Sequence, residues 1–186
     1  MAPPNYSVKW TAATCHGNLT LTVAAATHLK RYAAMNASQE WSTQDFEVMS
    51  WHDVHVHGFR IVDCDEANGT AELVLDIDYI LEWLSSEVGI SFVVAQASLQ
   101  FHEVFGLKFT LDYAQPTAGM CAFSLAGIER ELVTYPAGHT SYRWRLPINW
   151  PAGEIVFSSP GFAQRLVGQP CTQASQSLSP SQRSAA

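Results

Sequence analysis

From Glu72 to Trp83 apolar and polar residues alternate with few exceptions, and no other stretch of the chain restricts its fold so tightly. Leu73, Leu75, Ile77, Tyr79, Leu81 and Trp83 fall on one side of an extended backbone; Glu72, Val74, Asp76, Asp78, Ile80 and Glu82 fall on the other. Successive side chains of an extended chain point in opposite directions, so this period of two describes a strand with one buried and one wet face. Upstream, Val54 to Asp63 forms a second strand-like run, and Asn68-Gly69 between the two is the strongest short hairpin signal. The stretch reads as a β-hairpin with arms 54–63 and 71–83.

The pattern continues downstream. Ala97 to Tyr113 sets Leu99, Phe101, Leu107, Phe109, Leu111 and Tyr113 against Gln100, His102, Lys108 and Asp112, with Gly106 marking a bulge or bend. Met120 to Glu131, Tyr142 to Trp150, Glu154 to Ser158 and Phe162 to Val167 are further strands; Pro147 makes the second an edge strand or a bulged one. Strands joined by short turns favour an antiparallel meander over β-α-β units. The expected fold is mostly β, an antiparallel meander curled into a sandwich or barrel-like sheet, with a β-rich α+β arrangement as the variant if a helix packs on it.

That helix would come from residues 21–35, where Leu21, Ala25, His28, Leu29 and Tyr32 share one side. Residues 1–44 are otherwise rich in Ala, Thr and Asn and read as a segment outside the domain, with Met35 as an alternative start. Residues 45–169 form the single β-rich domain. Residues 170–186 are rich in Ser and Gln, carry no aromatic residue and read as a disordered tail.

Composition narrows the function classes. A hydrophobic content of 47%, with six Trp and nine Phe, supports a real core within 186 residues. The net charge of −7 provides no basic patch, so neither nucleic acid nor an anionic membrane is expected as a partner. No apolar run approaches the ~20 residues that span a bilayer. Cys15, Cys64, Cys121 and Cys171 are scattered without a C-x-x-C pair and read as reduced thiols of a cytoplasmic protein. A secretory reading of Lys9 and the stretch Leu19 to Ala26 is weakened by threonines and by Lys30-Arg31 that follow. Three Asn-x-Ser/Thr patterns, at Asn18, Asn36 and Asn68, would matter only after secretion.

The hairpin also carries the chain's densest chemistry. With Asn68-Gly69 as a two-residue loop, Ala67 faces Thr70, His55 faces Glu82, His57 faces Ile80, Phe59 faces Asp78 and Ile61 faces Asp76. Val54, Val56 and Val62 then join the core stripe, and His55, His57, Asp78 and Glu82 share the polar face. A shift of one residue would bury both histidines instead. His-x-His on a strand places two imidazoles on one side about 7 Å apart, and a carboxylate opposite could complete a Zn²⁺ or Fe²⁺ site. His52 or His102 would add a ligand or the acid–base group. The competing reading is His–carboxylate pairing on a solvated face, worth a few tenths of a kcal/mol per pair.

Other patterns fail in detail. Asp53-Val54-His55-Val56-His57-Gly58 has the opening of an amidohydrolase metal motif, but that chemistry sits on an eight-fold β/α barrel of about 250 residues. His55-x-His57 with the later Pro136-Ala137-Gly138-His139 echoes cupins, yet no glutamate stands four or five residues after His57. Walker, dinucleotide and nucleophile-elbow patterns are missing. Arg143 and Arg145 could bind an anion, although partners across strands such as Asp76, Asp78 or Asp112 fit them better. Trp51, Trp83, Trp144 and Trp150 could line a ligand pocket or simply build a core.

Residues 50–170 resemble a family of small bacterial proteins without an assigned activity. The resemblance rests on Ser50-Trp51-His52-Asp53, Val56-His57-Gly58-Phe59-Arg60-Ile61, Glu72 to Trp83, Phe101-His102-Glu103-Val104, Tyr142 to Arg145 and Asn149 to Ile155, with Gly161 to Gln164. It implies a compact bacterial domain. More distantly, a histidine-bearing segment leading into such a hairpin is similar to β-rich immunity proteins of bacterial toxin systems. Three functions follow as expectations. The first is a non-enzymatic binding protein for a protein or small ligand. The second is a small metal-dependent enzyme on the 54–83 hairpin, and the third is an immunity-type inhibitor using Asp76, Asp78 and Glu82 against a basic surface.

Overall fold

The expected hairpin is the spine of the computed structural model, which describes residues 40–87, 89–114, 119–136 and 138–183. Its strands are β1 (Glu40–Ser42), β2 (His55–Asp65), β3 (Thr70–Ser86), β4 (Gly89–Leu111), β5 (Phe123–Leu125), β6 (Glu129–Thr134), β7 (Thr140–Trp150), β8 (Gly153–Ser159), β9 (Gly161–Leu166) and β10 (Cys171–Gln173). Short 3₁₀ turns occupy Thr43–Val48 and Pro180–Gln182. All strand pairs are antiparallel. The helix expected at 21–35, and Cys15, lie outside the described residues.

Strands β2, β3, β4, β8, β7 and β5 pair in that order, and β5 pairs back with β2, so the sheet closes into an irregular, barrel-like ring. Closure depends on β4. Its 23 residues pair with β3 on one edge and with three successive partners on the other: β10 at 92–94, β9 at 97–102 and β8 at 105–111. The bend expected at Gly106 falls at the change from β9 to β8, where the register with β8 slips and Gly106 adopts φ 64°. Strand β7 is paired along both edges, so Pro147 is accommodated beside a bulge against β5 rather than on a free edge.

Alternation fills the ring. Val54, Val56, Leu73, Leu75, Ile77, Leu99, Phe101, Leu125, Trp144, Leu146, Ile155 and Phe157 all point inward and are buried. Phe101 sits at the centre, with ring centroids 5.2 Å from Trp144, 4.7 Å from Phe157 and 5.9 Å from Phe162. One end is closed by β1 on β9 and by the Thr43–Val48 turn, whose Ser42–Asp45 capping box fixes its start. Thr43 both accepts from Phe162 N and donates to Phe162 O. The domain therefore begins before residue 45: Trp41 is buried against Tyr79.

The larger correction concerns the tail. Residues 171–183 lie on the outside of the β3–β4 ribbon, where β10 pairs with Phe92–Val94 and Leu178 is buried on Ile80, Phe92 and Val94. Within residues 170–186, Leu178 is the single large aliphatic residue and Arg183 the single charge. Averaged composition describes such a segment as disordered because two specific anchors are diluted by fifteen small or polar neighbours.

Candidate functional site

The loop of the hairpin decides where the site forms. Asp65 pairs with Thr70, leaving four residues, Glu66 to Gly69, in the turn. The Asp65 carboxylate accepts from Ala67 N (3.0 Å), Asn68 N (3.2 Å) and Asn68 Nδ2 (2.7 Å), and Gly69 N donates to Asp65 O (2.8 Å). This Asx-type turn replaces the expected two-residue loop, with Gly69 taking its left-handed φ of 68° at the end of the turn rather than at its centre. Those same donors hold the Asp65 carboxyl below its usual range, Asn68 first among them.

Two bulges then shift the register, one at His57 and one near Asp63, whose φ is 50°. His55 faces Asp78, not Glu82; Phe59 faces Leu75 and Ile61 faces Leu73. The bulge at His57 puts Phe59 and Ile61 on the same side of the hairpin as Leu75 and Leu73, yet both remain about half exposed, at 48% and 53%. Phe59 stacks on Phe109 with centroids 5.0 Å apart.

On the outer face His55, His57 and Asp78 do come together. Asp78 is fully buried. Its Oδ2 accepts from His57 Nε2 at 2.7 Å and from Leu178 N at 2.9 Å, while its Oδ1 receives Nη1 of Arg183. Nη2 of Arg183 lies 2.5 Å from Asp76 Oδ1, which also accepts from Gln96 Nε2 at 3.2 Å. One guanidinium thus spans two carboxylates on alternate positions of β3, the spacing that puts both on one face. Burial holds the pKa of His55 below the ordinary histidine value of 6.5, against the pull of Asp78 and with the help of His57. Its Nδ1 is buried without a hydrogen-bond partner.

The remaining expected ligands are elsewhere. Glu82 pairs with Val93, about 13 Å further along β3 than Asp78. His52 stacks on Trp83, donates from Nδ1 to Ala126 O at 3.3 Å and lies 3.5 Å from Asp53. His102 bonds Glu72 through Nδ1 at 2.7 Å, roughly 20 Å from Asp78 by strand rise. Burial would raise the Glu72 carboxyl, but donors from Gln100, Glu103 N and His102 hold it below the usual range. Among the described residues no group of three or more His, Cys, Asp or Glu side chains is arranged to hold a metal ion. Both oxygens of Asp78 are instead engaged by nitrogen donors of the chain itself.

The other candidates resolve differently. Trp51 and Trp144 are core residues, donating to Gln164 Oε1 (2.8 Å) and Ser159 O (3.0 Å), while Trp83 and Trp150 are 45% and 41% exposed. The four do not surround one pocket. Arg145 pairs with Glu129 and Glu154, at 3.1 and 2.9 Å, rather than with Asp76, Asp78 or Asp112. Asp76, Asp78 and Glu82 do not make one open acidic face, because Arg183 covers the first two. Asp78 lines neither the cleft of about 330 Å³ beside Trp41 and Arg165 nor the one of about 220 Å³ beside Ile61 and Leu107.

Sequence reasoning missed Asp76 as a clamp partner, and Leu178 and Arg183 altogether. The available signal was the lone aliphatic and lone cation in an otherwise featureless tail. Comparison with known proteins adds no relative: no family model matches the chain, and no curated protein matches it at a significant level. No helix among the described residues is long and apolar enough to cross a membrane.

Proposed function

We propose that this chain is a small bacterial binding protein without catalytic activity, acting in the cytoplasm. The observation that carries the reading is the state of Asp78. A carboxylate meant to hold a metal or to move a proton needs a lone pair open to the reacting partner. Asp78 is buried, and its oxygens face His57 on the neighbouring strand and, from residues 171–183, the Leu178 N–H and the Arg183 guanidinium, which hold that segment. The ring interior supports the same reading, since side chains fill it where a small-molecule enzyme would keep a cavity. Cys64 and Cys171 form no disulfide among the described residues, which suits a reducing compartment.

The test is the metal content of untagged protein after incubation with Zn²⁺ and Fe²⁺, beside a His55→Ala/His57→Ala double variant. The reading predicts no more than trace metal in either protein. Near-stoichiometric metal in the parent that disappears in the double variant would contradict it and restore the hairpin as a metal site.

A further inference from the structure

The geometry points to a specific ligand for this binding protein: an extended protein segment that carries an aliphatic residue and, five positions later, an arginine. It would bind where residues 171–183 now lie, and those residues are the site's intramolecular occupant. The inference rests on the binding reading above and gives it a surface and a partner chemistry.

Three parts of the groove each recognise a different property of the occupant. The edge of β4 at Phe92–Val94 accepts a strand, as β10 demonstrates residue by residue. Backbone pairing of this kind is indifferent to side chains and is a common way for a sheet to take a peptide. Ile80, Phe92 and Val94 form an apolar depression that buries Leu178. Asp78 accepts a hydrogen bond from Nη1 of the guanidinium, and Asp76 lies beside Nη2 as an ion pair without hydrogen-bond geometry. A fork spanning two carboxylates suits arginine and not the single point charge of lysine.

The occupant is separable from the fold. The hydrophobic cluster under Leu178 is distinct from the one inside the ring, and no ring strand depends on β10 for closure. Of residues 171–183 only Leu178 is buried. Four residues, Val167 to Pro170, tether the segment to β9, so its local concentration is about millimolar or higher. A weak intramolecular contact is enough to keep the groove filled until a better-matched segment displaces it. Departure of the tail alone would leave Asp78 without its cation and β4 with an open edge, so the exchange favours a replacement that restores both.

The experiment uses the full chain and a fluorescent synthetic peptide of residues 170–183, read by anisotropy. Arg183→Ala should bind the peptide at least about tenfold more tightly than the parent, because the resident competitor is weakened. Adding Asp76→Asn to Arg183→Ala should cancel that gain, and a peptide with lysine in place of arginine should bind several-fold more weakly. Peptide binding to Arg183→Ala that is no tighter than to the parent, or that ignores Asp76→Asn, would overturn the proposal. Should circular dichroism show Arg183→Ala unfolded, Leu178→Ala takes its place with the same expected order. A concentration-dependent dimer of the parent that the peptide dissolves would assign the groove to a second copy and overturn the partner reading. Failure of the peptide in a metal-free protein sinks this groove but leaves the binding reading standing; bound metal sinks that reading.

Discussion

The inner and outer faces of the β3–β4 ribbon are made by the same two strands and behave as two different materials. Inward, Leu73, Leu75, Ile77, Leu99 and Phe101 meet residues from all around the ring, and each is buried by several strands at once. Outward, Ile80 and Val94 are covered by Leu178 from one thirteen-residue segment, and Asp78 is matched by one arginine. Inner contacts are non-polar and mutually supporting, so losing one leaves a cavity the rest cannot fill. Outer contacts are few, partly ionic and single-stranded in their support, so they can be released together. A small domain that keeps its core on one face is free to make its other face exchangeable.

The largest effect that separates the faces should come from Phe101→Ala, which removes the aromatic centre of the ring. Chemical denaturation should show a loss of about 3–5 kcal/mol. A loss below about 1 kcal/mol would mean the ring is not the stabilising unit. Arg183→Ala should come next. Breaking a buried pair ordinarily costs more, but here the segment can lift and admit water to Asp78, so the loss should be about 1–3 kcal/mol. It should come with faster proteolysis within 171–183 and an unchanged cleavage pattern elsewhere.

Acidification should produce a smaller effect. The folded-state pKa of His55 is lowered, so below its ordinary value of 6.5 the unfolded chain takes up a proton that the folded chain refuses. Stability should therefore fall as pH drops from about 7 toward the folded-state pKa, and His55→Gln should flatten that slope in urea titrations. Glu72 acts in a lower window: its depressed pKa stabilises above the ordinary 4.5 and is lost as pH falls through the folded value. Smallest of all is Arg145→Ala, which removes two exposed ion pairs with Glu129 and Glu154. The denaturation midpoint should not move measurably. A clear shift there would show that surface charge contributes to the ring after all.

How legible each face was follows from the same contrast. Alternation from Glu72 to Trp83 and from Ala97 to Tyr113 carries the ring, because burial on one side leaves a period-two trace that any extended chain must show. Val54, Val56 and Trp144 follow from it, whereas Val62, expected in the same stripe, faces Glu72 on the outer side. The register of the hairpin was not legible: Asn68-Gly69 favours a tight two-residue turn, but Asp65 outcompetes it with three side-chain hydrogen bonds. Bulges at His57 and Asp63 leave no compositional mark, yet they decide that His55 faces Asp78 while Glu82 does not. The tail was hidden for another reason. A segment held by one leucine and one arginine has no periodicity to detect, and its order depends on partners more than 70 residues earlier in the chain.

The most direct test of the account is residue-resolved hydrogen exchange of the full chain against Arg183→Ala. The account predicts lost protection at Thr172, Leu178 and the β4 edge at Phe92–Val94, with the amides of Leu99 and Phe101 unchanged. A uniform loss of protection that reaches Leu99 and Phe101 would contradict it. Residues 171–183 would then be part of the core rather than a detachable occupant of its outer face.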